Sequence, residues 1–274
     1  MTPDDLASDL GVSPQVLRSW LRRTFPRSPA EKHLSWTIEE AVAEAARQHF
    51  SVGLQANVAP VLARTHEDAF GSDLAAFREA RVHTSDEVLA RPSPVPALPG
   101  VYGWWFRRLP AGVDPARCLV RDDLTLLYTG ISPKRPPANG RPSSQTVRDR
   151  IRYHYTGNAE GSTLRKTLGV LLSAELGIEL RRVGSGTRMT FGAGEQHLSD
   201  WMAHHALVAW VVNPEPWLLE ERLIADLDVP LNLDGNAHNA FHPTLRAARA
   251  TAVARARALP IIENPGIGGA DRRG

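Results

Sequence analysis

The sequence predicts a mixed α+β protein in which a small sheet flanked by helices follows a small all-helical domain. Leucines recur at helical spacing in the first fifty residues, whereas strand-like and helix-like segments alternate after residue 98. This alternation lacks the repeating order of a parallel sheet, which favours the mixed class. Four prolines in the nine residues 91–99 predict a stiff linker between the two parts.

The composition is that of an ordinary folded protein. Of the 274 residues, 42% are hydrophobic and 23% are charged, which argues against a disordered or fibrous chain. The longest apolar run, Ala206–Val212, is too short to span a membrane, and the first ten residues lack the apolar core of a signal peptide. We therefore expect a cytoplasmic protein that has no membrane partner.

The change of pattern divides the chain into four expected segments. They are a helix-turn-helix-like DNA-binding domain at 1–50, a helical connector with the proline-rich linker at 51–97, a mixed domain with a basic last helix at 98–260, and a flexible tail at 261–274.

Hydrophobic periodicity predicts the elements of these segments. Before the linker, helices are expected at 37–50 and 73–81. In the mixed domain, strands are expected at 101–106, 124–130, 178–183 and 207–212, and helices at 144–155, 163–176, 196–205, 216–227 and 246–259.

The N-terminal segment resembles a helix-turn-helix module. Gly11 supplies a turn, and the Ser-Pro pair at 13–14 begins a second helix. A helical hairpin used only for packing is the alternative interpretation. In the DNA-binding interpretation, four polar or basic residues face the nucleic acid: Gln15, Arg18, Arg22 and Arg23.

A basic segment lies in the middle of the chain, although the net charge of the whole protein is only +2. Residues 134–166 contain eight basic and two acidic residues. Such a segment either binds a phosphate backbone or forms a solvated helix face. We assign four of its residues to DNA contacts: Lys134, Arg135, Arg148 and Arg152.

Several short motifs follow the linker in a defined order. Gly100-Val-Tyr102 lies on one expected strand, Tyr128-Thr-Gly130 ends the next, and a basic helix covers 147–154. A later helix carries Glu220-Glu-Arg-Leu-Ile224, and Pro230-Leu-Asn232 follows it. A tyrosine in a strand is usually a packing residue, so each motif alone is weak evidence. Together they resemble the GIY-YIG nuclease superfamily over residues 98–239.

The resemblance implies an activity and a set of residues. The activity is that of a divalent-metal-dependent endonuclease that hydrolyses DNA, of a restriction, defence or mobile-element type. The alternatives are a nuclease of single-stranded or branched DNA or of RNA, and a catalytically silent DNA-binding or regulatory protein. The implied catalytic residues are Tyr102, Tyr128, Arg150, His154, Glu220 and Asn232.

These residue types suit the hydrolysis of a phosphodiester bond. The reaction needs an activated water, neutralisation of charge on the phosphate and stabilisation of the leaving oxygen. Cys118 is the single cysteine, so a metal must be held by oxygen or imidazole. The Glu220 carboxylate suits Mg²⁺ or Mn²⁺ and leaves coordination positions for water and phosphate. Arg150 and His154, four residues apart, share one helix face.

The general base stays open between Tyr102 and His154. An ordinary tyrosine, with a pKa of about 10, is a poor base at neutral pH unless nearby cations stabilise its phenolate. The resemblance assigns Tyr128 to orienting water or phosphate, and Asn232 to positioning the Glu220 helix or the tyrosines. Ile131 stands where some family members carry a lysine, so a lysine-assisted base is not expected here.

Overall fold

The computed structural model describes residues 2–10, 17, 18, 20, 21, 24, 25, 38–55, 66–137 and 143–267. The chain forms two compact units, Met1–Thr65 and His66–Gly274. Within the described ranges, no helix combines the length and the apolar character that crossing a membrane requires. Three residues expected to contact DNA lie outside the described residues: Gln15, Arg22 and Arg23.

The first unit packs around a small apolar core. It contains helices α1 (Pro3–Asp9) and α2 (Glu40–Gln55), and residues 17, 18, 20 and 21 between them are also helical. Arg18 is partly buried. A DNA-binding module and a packing hairpin both require such a core, so the DNA-binding role stays a proposal. The core consists of Leu6, Ala7, Leu17, Trp20, Leu21, Ile38, Ala43 and Ala46.

The second unit contains helices and strands in mixed order. Its helices are α3 (His66–Glu79), α4 (Ser85–Leu89), α5 (Val147–Thr156), α6 (Thr163–Leu171), α7 (Ser173–Leu176), α8 (Gly194–His205), α9 (Pro216–Asp226) and α10 (His242–Ala258). Its strands are β1 (Gly100–Phe106), β2 (Val120–Arg121), β3 (Leu124–Ser132), β4 (Arg181–Val183), β5 (Arg188–Thr190) and β6 (Ala206–Val212).

An antiparallel sheet forms the centre of this unit, which confirms the predicted α+β class. Its strand order is β2-β3-β1-β6, and every residue of the inner strand β1 is buried. Strands β4 and β5 form a separate hairpin. Helices cover both faces of the central sheet, so the unit has three layers.

Alternation of side chains along β1 supplies both cores of the unit. Tyr102, Trp104 and Phe106 belong to a core shared with α5, α6 and α8. Val101 and Trp105 belong to a second core shared with α3 and α9. The strand that carries the first tyrosine motif is therefore fixed by packing on both faces.

The second unit differs from the expectations at several element ends and contains three short elements that were not expected: α4, β2 and β5. The helix expected at 163–176 is divided at Leu172 into α6 and α7, and Gly177 ends it in the left-handed conformation with φ 63°. The strand expected at 178–183 is restricted to β4, because the short partner strand β5 pairs only with those residues. The proline-rich segment 91–99 lies in the second unit, where Val95 is fully buried.

Candidate active site

A pocket of about 570 Å³ lies between β1, β3, α5 and α9. Charged and aromatic side chains line it, and the residues implied by the sequence motifs meet there. Of the six implied catalytic residues, five line the pocket and His154 does not: the five are Tyr102, Tyr128, Arg150, Glu220 and Asn232.

The pairing of β1 with β3 places the two tyrosines on one face of the sheet. Tyr102 lies opposite Gly130, and Tyr128 lies opposite Trp104. The ring of Tyr102 crosses over Gly130, so a Cβ atom at that glycine would be 2.6 Å from the Tyr102 hydroxyl oxygen. The glycine of the second motif therefore leaves the space that the tyrosine of the first motif occupies.

His154 holds the hydroxyl of Tyr102 from behind. Its Nε2 is 2.8 Å from the Tyr102 oxygen, and its Nδ1 is 2.7 Å from Oγ of Ser162. Burial, together with the charges of Arg150 and Arg165, holds the pKa of His154 well below its ordinary 6.5. The imidazole is therefore neutral and connects Tyr102 to the start of α6.

Arg150 is fixed at the wall of the pocket by the start of α5. Thr146 and Asp149 form a capping box that begins this helix. One turn inside, Nη1 of Arg150 donates a hydrogen bond of 2.7 Å to the carbonyl of Gly161. Arg150 is partly exposed and lines the same pocket as Tyr102, whose pKa its charge lowers. The helix thus presents an anchored cation to the pocket.

The two tyrosines are protonated at neutral pH. Burial raises the pKa of Tyr102 to about 12, although the charge of Arg150 opposes this shift. Burial also raises the pKa of Tyr128, and the neighbouring Tyr102 and Glu220 add to the effect. Additional positive charge beside Tyr102 would be needed to populate its phenolate form at neutral pH.

Glu220 faces the pocket from the first half of α9, a helix that Pro216 begins. Burial raises its pKa to about 7, with Lys134 lowering it and Glu221 and Asp234 raising it. In the part of the chain that the structure describes, no hydrogen bond or ion pair reaches the Glu220 carboxylate. A desolvated carboxylate without a partner is suited to bind a cation.

The donor set fits one divalent ion held mainly by water and phosphate. Among the described residues, no group of three or more His, Cys, Asp or Glu side chains could hold a metal. A single carboxylate with open positions is the arrangement that Mg²⁺ favours in phosphate-transfer sites. The neighbouring Glu221 is exposed and forms a 3.0 Å ion pair with Arg135, so its charge is already compensated.

Asn232 completes the edge of β3 beside Tyr128. Its Oδ1 accepts the backbone N–H of Thr129 at 3.0 Å, and its Nδ2 donates to the carbonyl of Thr129 at 2.8 Å. Strand β2 pairs with β3 only at Leu124 and Thr125. Further along β3, at Thr129, the side-chain amide of Asn232 takes the place of a neighbouring strand. Asn232 therefore positions the strand that carries the second tyrosine.

The residues expected to contact DNA differ in their surroundings. Lys134 and Arg135 are exposed and line the pocket, and Arg152 is exposed on α5. Arg148 instead donates from Nε to the carbonyl of Val95 at 2.6 Å, so part of its guanidinium holds the proline-rich segment.

Sequence reasoning missed three residues near the site. Trp217 and Asp234 line the pocket. The spacing of Trp217, three residues before Glu220 and therefore on the same side of the helix, was a usable signal. Arg165 is fully buried in an ion pair with Glu195 at 2.7 Å, although its position in the basic segment suggested a surface residue.

Comparison with known proteins identifies one family. The model of the GIY-YIG catalytic domain matches residues 100–251, which is more than half of the chain. No curated protein and no solved structure matches the chain significantly.

Proposed function

The chain belongs to the GIY-YIG family, which has a nuclease fold, and on this premise we propose that it is a divalent-metal-dependent DNA endonuclease. A restriction, defence or mobile-element role is part of this proposal. The observation that carries it is the meeting of Tyr102, Arg150 and Glu220 in one pocket. They come from a strand and two helices that lie far apart in the sequence, and each supplies a different requirement of phosphodiester hydrolysis.

Tyr102 is the group that contacts the attacking water, and His154 is a positioning residue. Tyr102 lines the pocket, whereas His154 does not line it and contacts the Tyr102 hydroxyl from behind. The low pKa of His154 disfavours an imidazolium, so this side chain holds the phenol without taking up its proton. We therefore favour Tyr102 over His154 as the general base, acting in its phenolate form after its proton has been released to solvent.

Arg150 stabilises the negative charge on the scissile phosphate. Its Nη1 is used by the carbonyl of Gly161, which leaves further N–H groups for phosphate oxygens. Lys134 lies on the same pocket and adds a second positive charge. Both cations also favour the phenolate of Tyr102 when substrate brings the groups together.

Glu220 holds the metal ion in this proposal. Mg²⁺ or Mn²⁺ bound there would neutralise charge on the phosphate and lower the pKa of neighbouring hydroxyl groups. The carboxylate must first lose its proton, and its raised pKa makes this step sensitive to pH near neutrality. Asn232 keeps the adjacent strand in position, and Tyr128, which lines the pocket, orients the water or the phosphate in this proposal.

Exposed basic residues at the pocket and on α5 provide affinity for the DNA backbone. Lys134, Arg135 and Arg152 are exposed, and such side chains bind phosphates independently of sequence. We assign the first unit, through Arg18 and its neighbours, an additional DNA-binding role.

A cleavage assay tests the proposal. Purified protein is incubated with labelled duplex DNA, single-stranded DNA, branched DNA and RNA, with Mg²⁺, Mn²⁺ or excess chelator. We expect DNA strand breaks only when a divalent ion is present. Tight DNA binding without cleavage under every metal condition would identify the silent regulatory alternative, and cleavage of RNA alone would correct the substrate.

A further inference from the structure

Trp217 differs from the other tryptophans that the structure describes. It makes no ring contact, cation contact or hydrogen bond with any described residue. Each of the others packs against a ring or a guanidinium: Trp20 with Phe25 at 5.6 Å, Trp104 with Tyr155 at 4.8 Å, Trp105 with Arg121 at 4.8 Å, Trp201 with His205 at 5.1 Å and Trp210 with His83 at 4.4 Å.

The position of Trp217 places it beside the proposed chemistry. It is partly exposed and lines the same pocket as Tyr102 and Arg150. On α9 it precedes Glu220 by three residues, which is less than one helical turn, or about 4.5 Å along the axis. Glu221 and Ile224 continue the same pocket-facing side of the helix. The indole therefore lies near the proposed metal ligand, at a wall that is otherwise mostly polar.

The chemistry of the pocket determines what can cover this ring. An indole presents a flat apolar surface, and an unpartnered one gains free energy when another flat group excludes water from it. A nucleic acid offers phosphates to the cations of the pocket and a base to the ring. In a continuous duplex, each base is already covered by its two neighbours, whereas an unpaired base exposes a face.

We propose that Trp217 stacks on an unpaired nucleobase next to the scissile phosphate, and that the protein therefore prefers DNA with unpaired nucleotides at the cleavage site. The inference rests on the proposed nuclease function and specifies its substrate class. Phosphate contacts through Arg150 and Lys134 position the strand, and the stacked base selects strands that are locally unstacked.

The experiment measures stacking in the absence of metal, so it does not depend on cleavage. Single-stranded oligonucleotides carry 2-aminopurine at successive positions, and binding to the full chain is followed in chelator. The fluorescence of 2-aminopurine falls when the base stacks. We expect strong quenching at one or two adjacent positions with the parent, partial quenching with Trp217→Phe and none with Trp217→Leu, which keeps apolar volume without a ring.

A double-mutant cycle, which combines a substitution at Trp217 with an abasic site in the DNA, separates the loss of stacking from a general loss of binding by the variant. An abasic site at the quenched position is expected to weaken binding by the parent at least about fivefold, because stacking on a base contributes roughly 1–3 kcal/mol. The same abasic site should leave the affinity of Trp217→Leu unchanged. Leu218→Ala is the control, since Leu218 is 46% exposed on the same helix. Melting curves for each variant verify folding.

The outcomes distinguish this inference from the proposed function. The stacking inference would be overturned if the abasic site weakened binding equally in the parent and in folded Trp217→Leu. Equal quenching of 2-aminopurine in both proteins would also overturn it. A parent that cleaves DNA but shows no Trp217-dependent stacking is a nuclease with a different substrate preference. A parent that shows stacking but never cleaves with any metal retains the binding mode and loses the proposed catalytic function.

Discussion

At the scale of single residues, the space beside Gly130 determines where Tyr102 lies. A methyl group there would meet two ring carbons and the hydroxyl oxygen of Tyr102 within 3.0 Å. The hydroxyl is in turn held by His154. The absence of a side chain at Gly130 thus fixes the position of the Tyr102 ring, although the two residues are far apart in sequence.

Gly130→Ala is therefore expected to displace the Tyr102 hydroxyl and to reduce single-turnover cleavage roughly 100-fold, the effect of a misplacement of about 1 Å. DNA affinity should change little. Gly71→Ala is the matched control, since a Cβ atom at Gly71, in α3, would meet nothing within 4 Å. Parent-level cleavage by folded Gly130→Ala would show that the exact position of Tyr102 is unimportant.

The raised pKa of Glu220, about 7, predicts how activity depends on pH. Only the carboxylate form attracts a divalent cation, so metal affinity and cleavage should increase as the pH rises through about 7 and then level off. Cleavage rates at saturating DNA and limiting Mg²⁺, measured from pH 5.5 to 8.5, provide the test. A rate that is flat across this range would mean that Glu220 is already ionised or takes no part.

The raised pKa of Glu220 also predicts that the metal-free protein becomes less stable as the pH rises, whereas its cleavage activity should increase. The pKa of Glu220 in the folded state exceeds its ordinary value of 4.5, so the folded state binds more protons than the unfolded state between these pH values and stability falls as pH rises. Glu220→Gln should therefore melt at or above the parent temperature at pH 8 in chelator, with the difference disappearing near pH 5. Calorimetric melting at both pH values measures it, and a variant less stable at pH 8 contradicts the shift.

At the scale of elements, a buried ion pair joins α5, α6 and α8 behind the pocket. The guanidinium of Arg165 contacts the Glu195 carboxylate at 2.7 Å and donates to the carbonyls of His154 and Tyr155 at 3.1 and 3.0 Å. Glu195 also accepts the backbone N–H groups of Ala159 and Phe191. The turn that carries His154 is held by this pair.

Arg165→Met should lower the free energy of unfolding by about 3–5 kcal/mol, because Glu195 would keep a buried charge without its partner. Lys166→Met, at the adjacent and partly exposed residue, should cost less than about 0.5 kcal/mol. Urea unfolding at constant pH compares the two variants. Equal losses would show that Arg165 contributes no more than a surface residue.

The elements also show what a sequence can predict. The strands of the two tyrosine motifs and the helices of Arg150 and Glu220 follow from local periodicity and caps, so they lie close to their expected bounds. The burial of Arg165 depends on Glu195, and the edge position of Asn232 depends on Thr129. These partners are far away along the chain, and charge counting in the basic segment could not identify them.

At the scale of the whole molecule, two compact units form one chain, and the second contains both cores of the central sheet. Neither core requires residues of the first unit. The meeting of Tyr102, Arg150 and Glu220 in one pocket was therefore predictable from the motifs of a single unit. The arrangement of His154 behind Tyr102 was not, because a shared helix face does not specify which of two side chains reaches the pocket.

Removal of Met1–Thr65 should leave a folded nuclease unit with weaker DNA binding. We expect catalysis to persist at high protein concentration, and the plot of log affinity against log salt to become less steep because fewer phosphates are contacted. Titrations at several salt concentrations measure both quantities. Unchanged affinity and slope would mean that the first unit is a packing domain without a role in DNA binding.

The metal site is the central claim, and cleavage by Glu220→Gln and Glu221→Gln side by side tests it most directly. The two residues are neighbours on α9, but Glu221 is exposed and paired with Arg135, whereas Glu220 has no partner among the described side chains. In Mg²⁺ with a single DNA substrate, Glu220→Gln should lose cleavage by orders of magnitude while still binding DNA, and Glu221→Gln should cleave near the parent rate. Robust Mg²⁺-dependent cleavage by folded Glu220→Gln would contradict the proposed site.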